Sequence, residues 1–227
     1  AMGIATVGIV GAGTMGAGIA TSLALHGFGV RLHDVQAAAV ARALDELAGF
    51  CARAVEKGRL SRAAADAAIG RVRGIGHLAA LADVELVIEA VFEDVAVKGA
   101  LLRELSTLLA ESTLVATNTS CLRVSDLARH ITRPERFLGL HYFSPAAINP
   151  VVEVVQGERT EAATIETAIV FCRASGKRPL RCRDSYGFAI NRFFCPYSNE
   201  AVRLLDEGLG SPAQIDAAAS QALGAAM

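Results

Sequence analysis

Short apolar runs alternate along the chain with longer stretches of helical period. Thr6 to Val10 is a β-branched run that predicts a strand, followed by glycines and a helix from Thr14 to His26 closed by Gly27. Val30 to Asp34 predicts the next strand, and Ala37 to Lys57 a long Ala-rich helix stopped by Gly58. Leu86 to Val91 is apolar except for Glu89 and predicts a buried strand, with a helix from Val95 to Ala110 behind it. Further strands are expected at Leu114 to Thr117, Phe137 to His141, Val151 to Val155 and Arg178 to Arg181, with a helix from Thr164 to Ala174. Such alternation is the pattern of an α/β fold: a Rossmann-type, doubly wound, mostly parallel sheet with helices on both faces. After Asp184 the strand signal stops, and Asn191 to Glu207 and Pro212 to Leu223 are both helical. The expected division is therefore a domain at 1–184 followed by the start of an all-α domain at 185–227, and two helices rarely bury enough surface to stand alone.

Composition narrows the classes of function. Of the 227 residues, 52% are apolar and 20% charged, ample for a packed core and too apolar for disorder. Lys plus Arg total 22 against 23 for Asp plus Glu, a net charge of −1, which argues against a broad basic face for nucleic acid. With no Trp and 5% aromatics, a stacking platform for single strands is not expected either. The first thirty residues carry no Asp, Glu, Lys or Arg, but Gly3, Gly8, Gly11, Gly13, Gly16 and Gly18 break the stretch, so a soluble strand-turn-helix is expected rather than a membrane span. Five cysteines, an odd number without a CxxC pair and with no signal peptide, point to a reducing, cytoplasmic location. No metal-ligand spacing stands out. Cys121, beside Ser120, reads as a small packing residue.

The first chemical motif is Gly11-Ala12-Gly13-Thr14-Met15-Gly16, a G-x-G-x-x-G between a strand and a helix. Glycines there allow a tight turn and close approach of a pyrophosphate to the helix N-terminus. Asp34 ends the second strand eighteen residues past Gly16, where a carboxylate accepts hydrogen bonds from the adenosine ribose hydroxyls. It would repel a 2′-phosphate, and Val35 and Gln36 offer no cation to hold one, so NAD is favoured over NADP.

The second constellation is His141 and Glu153, which close one strand and sit inside the next. The residues between them, with Pro145 and Pro150, form a turn or loop. If the two strands pair antiparallel about a tip near Ala147, the imidazole and the carboxylate face each other. A carboxylate flanked by valines must find a partner, and the resulting pair is a candidate general base: Glu153 orients the ring while its other nitrogen takes a proton from a substrate hydroxyl. A purely structural His–Glu hydrogen bond is the alternative.

Six ordered motifs carry a resemblance across nearly the whole chain. They are residues 11–16, Glu89-Ala90-Val91-Phe92-Glu93, Thr117-Asn118-Thr119-Ser120, His141-Tyr142-Phe143-Ser144-Pro145, Val152-Glu153-Val154-Val155, and Gly187-Phe188-Ala189-Ile190-Asn191-Arg192. Together they resemble the L-3-hydroxyacyl-CoA dehydrogenases of fatty-acid β-oxidation. The resemblance implies NAD-dependent interconversion of (3S)-3-hydroxyacyl-CoA and 3-oxoacyl-CoA, with His141 as catalytic base, Glu153 as its orienting partner, Asn191 completing the site and Ser120 touching the substrate oxygen or the nicotinamide region. It implies cofactor contacts from the glycine loop (Gly11, Gly13, Thr14, Met15 and Gly16), from Asp34, Ala90, Glu93, Lys98, Asn118 and Ser144, and a coenzyme A contact from Lys57 near Arg53, Arg59 and Arg62.

Bland readings stand beside these: Asn118 and Ser120 as caps of a helix near Val124, Glu93 as an N-terminal helix charge, Lys98 as a solvated helix-surface lysine. The sequence departs from the family pattern at Ser144, where many members carry Asn, at Asn149-Pro150, and at Tyr186, where Pro is common. The family's second domain continues with further helices that form a homodimer and part of the cleft, so the chain is expected to be partial, and the apolar faces of its last helices to be covered by another subunit. Alternatives are a gulonate or other hydroxyacid dehydrogenase of the same superfamily, and a non-catalytic, crystallin-like NAD-binding protein.

Overall fold

A computed structural model describes residues 3–224, so the last three residues of the expected helical domain lie outside it. The chain divides into two compact units between Tyr186 and Gly187, two residues past the expected boundary.

The first unit is built on an eight-stranded sheet. Its strands are β1 (Thr6–Val10), β2 (Gly29–His33), β3 (Val72–Ile75), β4 (Leu86–Glu89), β5 (Leu114–Thr117), β6 (Phe137–Tyr142), β7 (Val151–Gln156) and β8 (Arg178–Arg183), ordered β3-β2-β1-β4-β5-β6-β7-β8. Every neighbouring pair is parallel except β6–β7. β4, β5 and β6 are buried along their whole length, as strands with helices on both faces must be. The helices are α1 (Thr14–Leu25), α2 (Ala37–Glu56), α3 (Arg62–Arg71), α4 (Val95–Leu108), α5 (Val124–Leu127) and α6 (Ala162–Ala174). α1 is apolar nearly all round and buries Ile19, Ala20, Leu23 and Ala24, whereas α2 buries one stripe, Ala39, Val40, Ala43, Leu47 and Cys51, at helical spacing.

Two elements had no counterpart in the sequence reading. α3 is Ala-rich without a marked apolar stripe, and its one local signal is the Ser61 hydroxyl, which accepts the Ala64 N–H as N-cap. β3 has four residues including Gly74, where a Cβ would lie 2.6 Å from Val40 Cγ1, so it packs too close under α2 to carry a strand-like side-chain pattern.

The second unit holds α7 (Ile190–Asp206) and α8 (Pro212–Leu223). Ser211 and Gln214 form a reciprocal capping box at the start of α8. Phe193, Phe194, Val202 and Leu205 are exposed along α7.

Candidate functional site

The glycine loop follows β1, an interior strand of the sheet. Gly11 has φ +105°, and a Cβ there would lie 2.4 Å from the Ala90 carbonyl oxygen, so only glycine lets the loop pass the end of β4. At Gly16 a Cβ would lie 1.8 Å from the Gly11 carbonyl oxygen, which closes the turn onto α1. Gly13 is the N-cap of α1, with open space where a side chain would be and no side-chain cap over the helix N-terminus. Thr14 and Met15 form the first turn behind it. A cleft of about 500 Å³ runs beside this loop, bounded by Gly11, Gly13, Asp34, Ala90 and Phe92.

Asp34 follows β2 directly. Its Oδ2 accepts the Ala12 N–H at 2.8 Å and its Oδ1 the Gln36 N–H at 2.8 Å. The carboxylate is thus fixed against the glycine loop and still lines the cleft. His33 is buried and its Nδ1 donates to the Ile75 carbonyl.

β6 and β7 pair antiparallel in a register that sets His141 directly opposite Glu153, the geometry expected from the turn between them. His141 Nδ1 lies 2.8 Å from Glu153 Oε2, with Glu153 fully buried. The carboxylate can only accept, so Nδ1 carries the hydrogen and Nε2 is left as the basic nitrogen. The Phe143 ring packs on the imidazole with centroids 4.4 Å apart. Burial first, then the charges of Glu153 and Asp184, push the Cys182 thiol up to about 12.

A second cluster sits at the carboxyl ends of β4 and β5. Lys98, a cofactor contact by the resemblance and a solvated lysine by its helix position alone, is 1% exposed. Its Nζ lies 2.6 Å from Glu89 Oε1, 3.1 Å from Glu93 Oε2 and 3.3 Å from the Val91 carbonyl, so all three ammonium donors are engaged. Glu89 is fully buried and also accepts the Thr117 hydroxyl and the Val91 N–H. Glu93 accepts the Thr119 hydroxyl and the N–H groups of Ser120 and Cys121. Burial alone would raise the Glu93 pKa, but the Thr119 hydroxyl, the Lys98 ammonium and the Ser120 N–H together hold it below the usual range. Its carboxylate pins the turn bearing Ser120, while the helix-start role expected of it falls to Asp94, which accepts the Ala96 and Val97 N–H groups.

Asn118 and Ser120 do not cap the helix near Val124 either. Asp184 does, accepting the Val124 and Ser125 N–H groups across sixty residues of sequence. Asn118 Oδ1 instead accepts the Tyr142 N–H at 2.9 Å and so fixes the strand end beside His141. Ser144 is exposed in the β6–β7 loop. Cys121 is exposed rather than packed, its thiol turned to Glu93; burial first and the Glu93 charge second raise its pKa, so it is no thiolate nucleophile. Lys57 is exposed at the C-cap of α2 and shares a depression of about 480 Å³ with Phe50, Arg53, Arg59 and Ile148. Arg62 opens α3, and Asn191 stands in the first turn of α7, in the second unit.

The structure therefore brings His141 with Glu153, Asp34 with the glycine loop, and Glu93 with Lys98 and the Ser120 turn. Glu89, Thr117, Thr119 and Asp184 were missed. The usable signal was Glu89 itself, a carboxylate inside an apolar strand that, like Glu153, must find a partner.

Comparison with known proteins identifies the family. Residues 6–185 match the family described as 3-hydroxyacyl-CoA dehydrogenase, NAD binding domain, and residues 187–227 the corresponding C-terminal domain. The chain is 40% identical to the 3-hydroxyadipyl-CoA dehydrogenase of Escherichia coli over 95% of its own length and 45% of that protein's. It is 36% identical to the fatty acid oxidation complex subunit alpha of Pseudomonas savastanoi pv. phaseolicola over 88% of its length and 28% of that subunit's. The chain thus spans less than half the length of these relatives. The crystal structure of the (S)-3-hydroxybutyryl-CoA dehydrogenase of Ralstonia eutropha superposes with a TM-score of 0.93 at 35% identity, covering 98% of this chain and 78% of that one. With both domain matches falling in order on a Rossmann-type sheet and a helical second unit, the chain belongs to the 3-hydroxyacyl-CoA dehydrogenase family.

Proposed function

We propose that the protein interconverts (3S)-3-hydroxyacyl-CoA and 3-oxoacyl-CoA with NAD as hydride carrier. The observation that carries this reading is the buried His141–Glu153 pair at 2.8 Å, in the same sheet whose strand β1 feeds the glycine loop. When bound, NAD supplies the acceptor for the hydride leaving C3 of the substrate. The residues fit it: an uncovered helix N-terminus at Gly13, a fixed carboxylate at Asp34 and a cleft between them.

His141 Nε2 takes the proton of the 3-hydroxyl as the C3 carbonyl forms, and Glu153 holds the ring and stabilises its protonated form. In the reverse direction the same nitrogen returns the proton. Ser120, held by Glu93, would steady the substrate oxygen, and Asn191 is a further candidate substrate contact. Asn118 and Ser144 flank His141 along the chain's own fold and would bound the ring-binding end of the cleft. Lys57, with Arg53 and Arg59 beside the apolar Phe50 and Ile148, offers cations for the phosphates of coenzyme A. A homodimer through the second unit goes with this reading and is supported by the exposed Phe193 and Phe194. Among the described residues no helix is long and apolar enough to cross a membrane, and the five cysteines are free, which supports a cytoplasmic location.

The test is NADH oxidation with acetoacetyl-CoA against free acetoacetate. Turnover of the thioester alone supports the reading, turnover of the free acid alone supports a hydroxyacid dehydrogenase, and turnover of neither supports a non-catalytic protein. Asp34→Ala checks the cofactor half separately. Losing a charge-assisted contact of about 1.5–3 kcal/mol is expected to weaken NADH about 10- to 100-fold while NADPH weakens far less. Equal weakening of the two, measured by calorimetric titration, would count against ribose recognition by Asp34.

A further inference from the structure

His141 and Glu153 are joined by the loop 143–150, and one buried cation outside the machinery described so far holds it. Lys177, in the turn between α6 and β8, is 6% exposed. Its Nζ donates to the carbonyl of Ala146 at 2.7 Å and to that of Asn149 at 2.8 Å. Both acceptors are neutral. Lysine is almost never buried without a charged partner, and an ammonium facing only carbonyls keeps part of its desolvation penalty. Burial accordingly pushes the pKa of this ammonium down from its ordinary value. A side chain needed only to fill the space would be apolar, so the ammonium's use lies in the two carbonyls.

Those carbonyls belong to a single turn. The Pro145 carbonyl accepts the N–H groups of Ile148 and Asn149, and the Asn149 side chain accepts the Val151 N–H that starts β7. The carbonyls of Ala146 and Asn149 are left pointing inward, and Lys177 satisfies both. Ala146 is buried, and a Cβ at Gly18 of α1 would lie 3.2 Å from its Cβ. The loop is thereby pressed on the helix that leaves the glycine loop. Ser144 lies just before this clamp, and Phe143, whose ring packs tilted against that of His141, immediately before Ser144.

We propose that Lys177 is a positioning residue: by clamping the 143–150 loop onto α1 through the carbonyls of Ala146 and Asn149, it sets Ser144 for the nicotinamide half of the cofactor. The proposal rests on the cofactor reading above. It predicts a split between two ligands that share the adenosine diphosphate half: NADH, and ADP-ribose, which lacks the nicotinamide ring. In calorimetric titrations Lys177→Met weakens NADH about tenfold, the loss of one positioned contact, and leaves ADP-ribose within about twofold. Lys177→Arg keeps the charge and the donors and restores NADH to within about threefold of the unaltered protein. Should the Met variant not fold, Lys177→Gln serves in its place, since its neutral amide is easier to bury and too short to reach both carbonyls. Weakening of both ligands alike, or unchanged NADH affinity in a folded variant, overturns the proposal. An unaltered protein that binds neither ligand overturns the cofactor reading and the proposal with it, whereas one that binds both while the variants show no split overturns the proposal alone.

Discussion

Replacing His141 with Gln is expected to lower the rate of acetoacetyl-CoA reduction roughly 10²- to 10⁴-fold, the usual contribution of a positioned acid–base group. Gln keeps a hydrogen-bond donor toward Glu153 and a similar volume, so the buried carboxylate is not abandoned. What it lacks is a nitrogen that titrates: it cannot receive the hydroxyl proton in oxidation or return it in reduction. NADH affinity is expected to stay within about twofold, because the cofactor contacts assigned to the glycine loop and Asp34 lie on β1, α1 and β2, away from β6. The measurement is a pair of numbers from the same preparation, kcat by absorbance at saturating substrate and the NADH dissociation constant by titration. A fall in kcat with unchanged affinity supports the assignment, and a comparable fall in both shows that the substitution has damaged the cofactor cleft and that His141 is structural. Glu153→Gln is the companion variant: it retains the hydrogen bond to Nδ1 but not the charge, so it tests the stabilisation of the imidazolium apart from the orientation of the ring.

Why the His–Glu pair could be read from the chain while the Lys98 cluster could not is a matter of range. His141 and Glu153 lie twelve residues apart on two strands joined by a proline-marked loop, so alternation and the midpoint of the turn fix their register before any coordinates are known. Asp34 and the glycine loop are legible for the same reason, as the ends of consecutive strands in one βαβ unit. Glu89 meets Thr117 across a parallel pair whose strands are separated by a whole helix, and nothing local specifies that register. Lys98 is the sharper case. Its place near the start of an amphipathic helix predicts solvent, and only the two carboxylates arriving from β4 and the turn after it make burial tolerable. Asp184 capping α5 from the far end of the first unit is invisible for the same reason. Side chains that serve a site through a neighbour on the same hairpin leave a pattern in the sequence, whereas those that serve it through a neighbour on another strand leave only an out-of-place polar residue.

The cost of disturbing that cluster is correspondingly large. Lys98→Met removes the one cation between Glu89 and Glu93, and Glu89 has no route to water because it is fully buried. Breaking a buried pair by deleting one partner costs about 3–5 kcal/mol, and for a chain of this size that corresponds to a melting temperature lower by roughly 10 °C. The sign follows from which charge is left behind. Glu89 is then a carboxylate without its cation inside an apolar strand, so the change is destabilising. Adding Glu89→Gln removes the stranded charge and keeps an oxygen for the Thr117 hydroxyl and the Val91 N–H, so the double variant is expected to recover about 2 kcal/mol or more of the loss. That recovery is the discriminating observation in thermal melts. If the double variant is no more stable than Lys98→Met alone, the deficit comes from the void left by the ammonium and from the loosened Ser120 turn, and electrostatic pairing is not what keeps Lys98 in the interior.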